Sequence, residues 1–229
     1  MWRRLVYIPN GMGSTPPSGQ RPGARELAKQ ETRDALIAAG LAAVAEHGLD
    51  VPSLDAICSR AGFTRGAFYV HFKDRDDFLV AVMEHVLGGF LDAVIVTGDD
   101  AHDLEHTIER FACELEAAAA PSRQGRARVR PVLGAVQLSR LVEAAARSPL
   151  IRERLVGILL QAVERVTQAA TAAQRRSAVR RDIDPRHGAE LLVVAALGLI
   201  GAVELGVPLD LRELRRTAMT VLQSERSRH

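Results

Sequence analysis

The sequence predicts an all-α protein, and three observations indicate this class. Hydrophobic residues make up 47% of the 229 residues and charged residues 25%, which is enough to bury one large core or two smaller ones. Aromatic residues contribute only 4% while alanine and leucine are abundant, and this composition favours helices over sheets. Apolar residues also recur at helical spacing along most of the chain. We therefore expect helices throughout.

The overall charge and the cysteine content limit the function classes. The formal net charge is only +2, so any nucleic acid would have to bind a local basic patch. Two distant cysteines, Cys58 and Cys113, exclude a disulfide scaffold, are expected to be buried as small apolar residues, and fit the cytoplasm. The apolar run near residues 1–8 is too short for an export signal, and the run at 191–203 is too short to span a membrane.

Residues 1–24 are expected to form a flexible arm. Prolines and glycines punctuate residues 9–23, and Met12 within this stretch is a candidate translation start. The arm and the beginning of the next segment are basic, with Arg25 and Lys29 closest to the folded part. Such a segment can contact an acidic polymer, although a solvated terminus is the more usual outcome.

Four helices are predicted after the arm, and the second and third form a helix-turn-helix over residues 53–72. The first covers residues 26–47. Ser53 and Thr64 are N-cap residue types that open two short helices, the first ending at Gly62 and the second at Phe72. Aspartates at 74, 76 and 77 suit the positive end of the fourth. Two short helices joined by a tight turn with a glycine define this motif.

The second short helix carries residue types with which proteins contact duplex DNA. Arg65 lies in its first turn, and its guanidinium can reach O6 and N7 of a guanine together. Gly66 lets the backbone approach DNA closely, and Ala67 and Val70 can contact a thymine methyl. Helix starts, hydroxyls and basic side chains that can bind phosphate occur at Ser53, Thr64, Tyr69, His71, Lys73 and Arg75.

Each of these residues also has a purely structural explanation. Ser53 and Thr64 cap helices whatever the function, and Phe63, Phe68 and Phe72 are expected to form the core of a small helical domain. Only the combination of polar residues on one short helix after a capped turn favours DNA binding.

The stretch from Ser53 to Arg75, with Phe78 and Leu79 after it, resembles the DNA-binding domain of the TetR family of transcriptional regulators. The most specific part is Tyr69-Val-His-Phe72, and the similarity covers about residues 30–91. The resemblance implies a DNA-binding domain over residues 25–91 and an effector-binding and dimerisation domain over 92–229. It also implies phosphate contacts by Ser53, Tyr69, His71 and Arg75, and base readout by Thr64, Arg65, Gly66, Ala67 and Val70.

Helices are predicted in the second domain over residues 104–119, 132–146, 150–173, 186–205 and 211–222. The resemblance implies dimerisation through the helices near 150–173 and 186–205. The apolar run at 191–203 is expected to be buried on most sides, by a two-fold mate or inside one subunit. Because Phe111 is the one aromatic residue beyond Leu91, any pocket would be mainly aliphatic and suit a hydrophobic effector.

Two other function classes stay open at this point. One is a helical small-molecule-binding protein without specific DNA binding, and the other is an enzyme in the C-terminal bundle. His102 and His106 have a spacing that can hold a metal, but without a further ligand this pattern is more typical of a solvated helix face. The sequence therefore predicts no enzyme, no metal and no cofactor. It predicts a ligand-responsive repressor that binds a palindromic double-stranded operator as a dimer.

Overall fold

The computed structural model describes residues 23–47, 53–95, 104–119 and 137–222, and this part of the chain is all-α as predicted. The predicted arm before residue 23, Met12, and the arginine-rich segment at 123–130 lie outside the described residues. The helices within the described ranges are α1 (Ala24–His47), α2 (Leu54–Ala61), α3 (Arg65–His71), α4 (Arg75–Val94), α5 (Leu104–Ala119), α6 (Leu138–Arg147), α7 (Pro149–Arg175), α8 (Pro185–Glu204) and α9 (Leu211–Leu222).

The starts of the two longest C-terminal helices follow from short sequence signals. Ser148 and Asp184 are the N-caps of α7 and α8, and their side-chain oxygens accept hydrogen bonds from backbone N–H groups of the first turn. Pro149 and Pro185 follow directly, where a helix needs no N–H donor and the fixed φ of proline fits. Each start is therefore specified by two adjacent residues.

Three phenylalanines form the centre of the first hydrophobic core. The rings of Phe68, Phe72 and Phe78 lie 5.0 to 5.3 Å apart, centroid to centroid, and each is at most 1% exposed. They come from α3, from its C-cap position and from α4, and they pack with Leu36 of α1 and Ile57 of α2. This core fixes the orientation of α3.

Helix α4 belongs to two cores at once. Its first half, with Phe78 and Val82, packs in the core described above. Its last turns, with Phe90 and Val94, pack in a second core against buried alanines and valines of α7. The helix is continuous from Arg75 to Val94, so a displacement of one end is carried to the other.

The two cysteines differ in environment, and the sequence prediction was wrong for one of them. Cys58 is 2% exposed in the first core, as expected, whereas Cys113 is exposed. Helix α5 turns Ala112 and Leu115 inward. Because each residue of a helix is rotated by about 100° from the last, position 113 lies on the solvent side.

Helix α8 is apolar, and its outward side is not covered by the residues that the structure describes. Leu191 is 71% exposed and Val194 65% exposed, and of this helix only Ala189 is fully buried. Burial on most sides inside one subunit was therefore a wrong expectation. The apolar run at 191–203 was expected to be too short to span a membrane, but the helix around it is longer. By length and composition alone, α8 is the one helix of the described ranges that could cross a bilayer.

The close approach of α1 to α4 makes Gly40 a sensitive position. A Cβ atom at Gly40 would lie 2.5 Å from Cζ of Phe78 and 2.8 Å from Cγ2 of Val82. We expect Gly40→Ala to lower the free energy of unfolding by about 1 to 3 kcal/mol, because a packed core accommodates extra volume only by strain. Urea unfolding monitored by circular dichroism measures this.

The matched control is Gly88→Ala in α4, where a Cβ would meet no atom within 4 Å. That variant should be unchanged or more stable by up to about 1 kcal/mol, because alanine favours helix more than glycine does. Equal stability of the two variants would contradict the tight α1–α4 contact.

Candidate nucleic-acid interface and ligand cavity

Local backbone features set the turn between α2 and α3. Gly62 has φ 78°, a left-handed conformation that glycine adopts without strain, and its N–H donates to the carbonyl of Ser59 at 3.1 Å. The Thr64 hydroxyl oxygen accepts a hydrogen bond from the N–H of Ala67 at 3.3 Å. Ser53 caps α2 in the same way. The turn therefore ends one helix and starts the next within three residues.

The two faces of α3 have opposite character. Phe68 is completely buried against the other phenylalanines of the first core. On the outer face Tyr69 is 51% exposed and Val70 66% exposed, and the side chain of Arg65 is 56% exposed. A short helix that is held by its inner face and offers its outer face to solvent can enter a major groove.

Arg65 has protein partners on α2 and α3. Its Nε lies 3.5 Å from Oδ1 of Asp55, and the Asp55 side chain is 66% exposed. A hydrogen bond with the Tyr69 side chain is the main cause that raises the pKa of the Arg65 guanidinium above its ordinary value, followed by the charge of Asp55. Because Asp55 contacts the Nε side, it orients the guanidinium without covering both terminal nitrogens. The sequence patterns did not indicate this contact, because Asp55 and Arg65 lie on different helices.

The turn between α3 and α4 places two basic residues, Lys73 and Arg75, close to α3. A carboxylate oxygen of Asp77 accepts a hydrogen bond from the backbone N–H of Lys73 at 3.0 Å, and Asp74 accepts one from the N–H of Asp77 at 2.9 Å. These bonds fix the backbone of Lys73, while the Lys73 and Arg75 residues are exposed. Cations in this position suit phosphate contacts, which set register without reading sequence.

His71 lies beside basic residues of α1. Its pKa is lowered, first by partial burial and then by the charges of Lys29 and Arg33, so the neutral imidazole is favoured. The Arg33 guanidinium also lies 5.0 Å from the centre of the Phe72 ring. The sequence patterns grouped Lys29 with the basic arm and did not indicate that Arg33 lies near His71. Lys29 and Arg33 are four residues apart and therefore lie on one side of α1. This spacing could have indicated that both residues face the same neighbour.

The structure describes all ten site residues that the sequence predicts. Ala67 and His71 are half-buried, and a side chain at Gly66 would meet only the Thr64 hydroxyl at 3.6 Å. The surface at the start of α3 is therefore open to close approach. The remaining seven are exposed: Ser53, Thr64, Arg65, Tyr69, Val70, Lys73 and Arg75. Contact of these residues with DNA remains a prediction.

A cavity of about 580 Å³ lies in the C-terminal bundle, with walls from α4 to α9. Its lining is almost entirely aliphatic, with Phe90 and Phe111 adding two rings 6.4 Å apart. Arg215 is the one charged residue among the described lining residues, and its Nη1 donates to Oε1 of Glu109 at 3.1 Å. The cavity is large enough for a small organic ligand.

The metal alternative has little support in the described residues. His106 is exposed on α5, and His102 lies outside the described ranges. Within these ranges, His, Cys, Asp and Glu side chains form no group of three or more that could hold a metal ion.

The described residues thus combine an exposed helix-turn-helix with a helical bundle that contains an apolar cavity. Residues 36–82 match the model of the bacterial regulatory proteins of the tetR family. Over these residues, which contain the helix-turn-helix, the chain is similar to the TetR family.

One protein of similar sequence is also described as a transcriptional regulator. An uncharacterised HTH-type transcriptional regulator of Bacillus subtilis, YwcC, is 33% identical over 73 residues, which are 29% of this chain and 33% of that protein. The chain thus matches about a third of the length of this relative.

Two solved structures share the whole fold. One is a TetR-family regulator from Rhodococcus sp., with a TM-score of 0.66 and 22% identity over 85% of this chain and 100% of the other. The other is the complex of SmeT with triclosan, with a TM-score of 0.64 and 24% identity over 85% of this chain and 92% of the other.

Arg65 and Lys73 are predicted to have separable effects on DNA binding. Arg65→Ala should weaken binding to a selected operator by about 1 to 3 kcal/mol and relax the preference at one base pair, because a bidentate contact to guanine is lost. Lys73→Ala should weaken all duplexes alike and lower the salt slope of the affinity by about 1. Fluorescence anisotropy with operator and scrambled duplexes at several salt concentrations measures both. An unchanged preference in Arg65→Ala would contradict base readout by Arg65.

Proposed function

We propose that the protein is a transcriptional repressor that binds a near-palindromic DNA operator as a homodimer and is released by a small hydrophobic effector. The observation that carries this proposal is the outer face of α3, where Arg65, Tyr69 and Val70 are exposed above the buried Phe68. A face that combines a guanidinium, a phenol and an apolar side chain can contact base edges, and the adjacent cations suit an anionic partner. Operator binding places the protein in the cytoplasm.

An outward apolar surface on α7 and α8 supports the homodimer. It consists of Val156 and Leu160 on α7 and Leu191 and Val194 on α8, which are 49 to 71% exposed. None of these four residues lines the cavity. A two-fold interface uses the same surface on both subunits, so one apolar surface is sufficient. With this geometry the two α3 helices would contact half-sites about 34 to 36 Å apart or a multiple of that distance.

The aliphatic cavity supports a hydrophobic effector. Burial of apolar ligand surface is favourable, and the described walls offer few polar groups that a polar ligand could use. The structural neighbour SmeT was solved with triclosan. A ligand in the cavity of this chain would contact the end of α4, because Leu91, Val94 and Ile95 line the cavity.

Helix α4 provides a route from the cavity to DNA. Arg165 of α7 holds the C-terminal end of α4 by donating hydrogen bonds to Asp92 at 2.8 Å and to the carbonyl of Ile95. The other end of α4 carries Phe78, which packs on α3. An effector that displaces the end of α4 would therefore change the separation of the two α3 helices. To release DNA efficiently, the effector must bind the released state more tightly than the DNA-bound state by several kcal/mol.

Selection of bound DNA from a random pool by the full chain tests the function. We expect enrichment of a near-palindrome, with a shift to unbound DNA when a hydrophobic effector is added. Absence of enrichment would instead favour a helical small-molecule-binding protein without specific DNA binding. Turnover of a bound small molecule by the purified protein would favour an enzyme.

The dimer surface gives a separate prediction. Leu191→Glu should convert the protein to monomer and abolish operator binding, because each interface would bury two unpaired carboxylates. Sedimentation velocity and circular dichroism measure mass and helix content. The control is Val142→Glu on α6, a residue 57% exposed and outside the proposed interface. A Leu191→Glu protein that remains dimeric would contradict this interface.

A further inference from the structure

Because Arg215 lines both the apolar cavity and a polar cleft between α5 and α9, this cleft is taken as the entrance of the cavity, and its charges balance. A shallow polar cleft there is lined by Glu105, Glu109 and Glu213 and by Arg212, Arg215 and Arg216, so three carboxylates face three guanidinium groups. Arg215 pairs with Glu109 across the two helices at 3.1 Å, and Arg216 pairs with Glu213 at 3.6 Å. The entrance therefore has no net charge.

Arg215 is the point where the polar entrance meets the apolar interior. It belongs to the lining of both the cleft and the cavity, whereas Glu109 belongs to the cleft alone. The side chains of Arg215 and Glu109 are 40% and 49% exposed. The other described lining residues with polar side chains are Thr107 and Thr217, which carry no charge.

This arrangement decides which ligand charges the cavity can accept. An anionic head group inside the cavity would lose its hydration and would meet one guanidinium among the described lining residues, that of Arg215, which Glu109 already neutralises. A cationic head group would find no carboxylate among the described lining residues. Burying an unpaired charge is strongly unfavourable, so either ligand would bind weakly.

We propose that the cavity takes uncharged, largely hydrocarbon ligands, and that Glu109 determines this specificity by occupying Arg215. The inference rests on the proposed effector site. Removal of the Glu109 charge would leave Arg215 free to pair with an anionic head group at the entrance. A single substitution would then extend the accepted ligands from uncharged to anionic molecules.

Two fluorescent probes with one skeleton test the proposal on the full chain. N-Phenyl-1-naphthylamine is uncharged, and 8-anilinonaphthalene-1-sulfonate adds one sulfonate to the same skeleton. We expect the wild type to bind the uncharged probe at least about tenfold more tightly. Glu109→Gln should improve binding of the sulfonate probe by about tenfold or more and leave the uncharged probe within about twofold, since a charge-assisted hydrogen bond is worth this much.

Two further variants separate specificity from a general structural effect. Arg215→Gln removes the cation and should not gain affinity for the sulfonate probe. Glu143→Gln removes the same charge from ion pairs with Arg140 and Arg147 on α6, outside the lining of the cavity, and should resemble wild type. Urea unfolding of each variant shows whether its fold is intact, and competition between the probes shows whether they share one site.

Several results would overturn the proposal. They are equal affinity of the wild type for the two probes, loss of both probes in Glu109→Gln, or the same gain in Glu143→Gln. Failure of the proposed function is distinguishable from these results. If the uncharged probe binds as expected but no operator is enriched, the ligand specificity stands and the regulatory function fails. If an operator is enriched but the uncharged probe does not bind, DNA binding stands and the proposed ligand specificity fails.

Discussion

Helix α4 must bury two apolar surfaces at its two ends, and the rest of the structure depends on this constraint. Phe78 completes the phenylalanine cluster that orients α3, while Phe90 and Val94 complete the core of the C-terminal bundle. Because packed cores change by discrete rearrangement rather than by continuous deformation, the helix cannot shift in one core without a response in the other. Helix α4 therefore couples the position of α3 to the packing around the cavity.

Three of the ion pairs position a cation at a functional surface and contribute little to stability. Arg165 fixes the last turn of α4, Asp55 orients Arg65, and Glu109 neutralises Arg215. All three pairs are partly exposed, and such pairs contribute little to the free energy of folding. Their contribution is to position a cation at the DNA-facing surface, at the helix connection and at the cavity entrance.

Sequence patterns predicted the helices and the helix-turn-helix because these depend on local chemistry. Ser53, Thr64 and Gly62 end and start helices through hydrogen bonds and backbone conformations that span only a few residues. The same patterns were wrong for Cys113 and did not find Arg33 as a neighbour of His71. Burial depends on which side of a helix meets another element, and the apolar composition of α5 did not specify that side.

The sequence by itself determined the fold class, the helix order, and the ten residues proposed to contact DNA, because residue type and spacing contain this information. Only the tertiary structure decided which charges meet. Asp55 is ten positions from Arg65, and Glu109 lies on α5 far along the chain from Arg215 on α9. It also decided that the described residues leave the outward side of α8 exposed and that a cavity lies among α4 to α9. Such contacts result from the packing of whole helices, which no local pattern specifies.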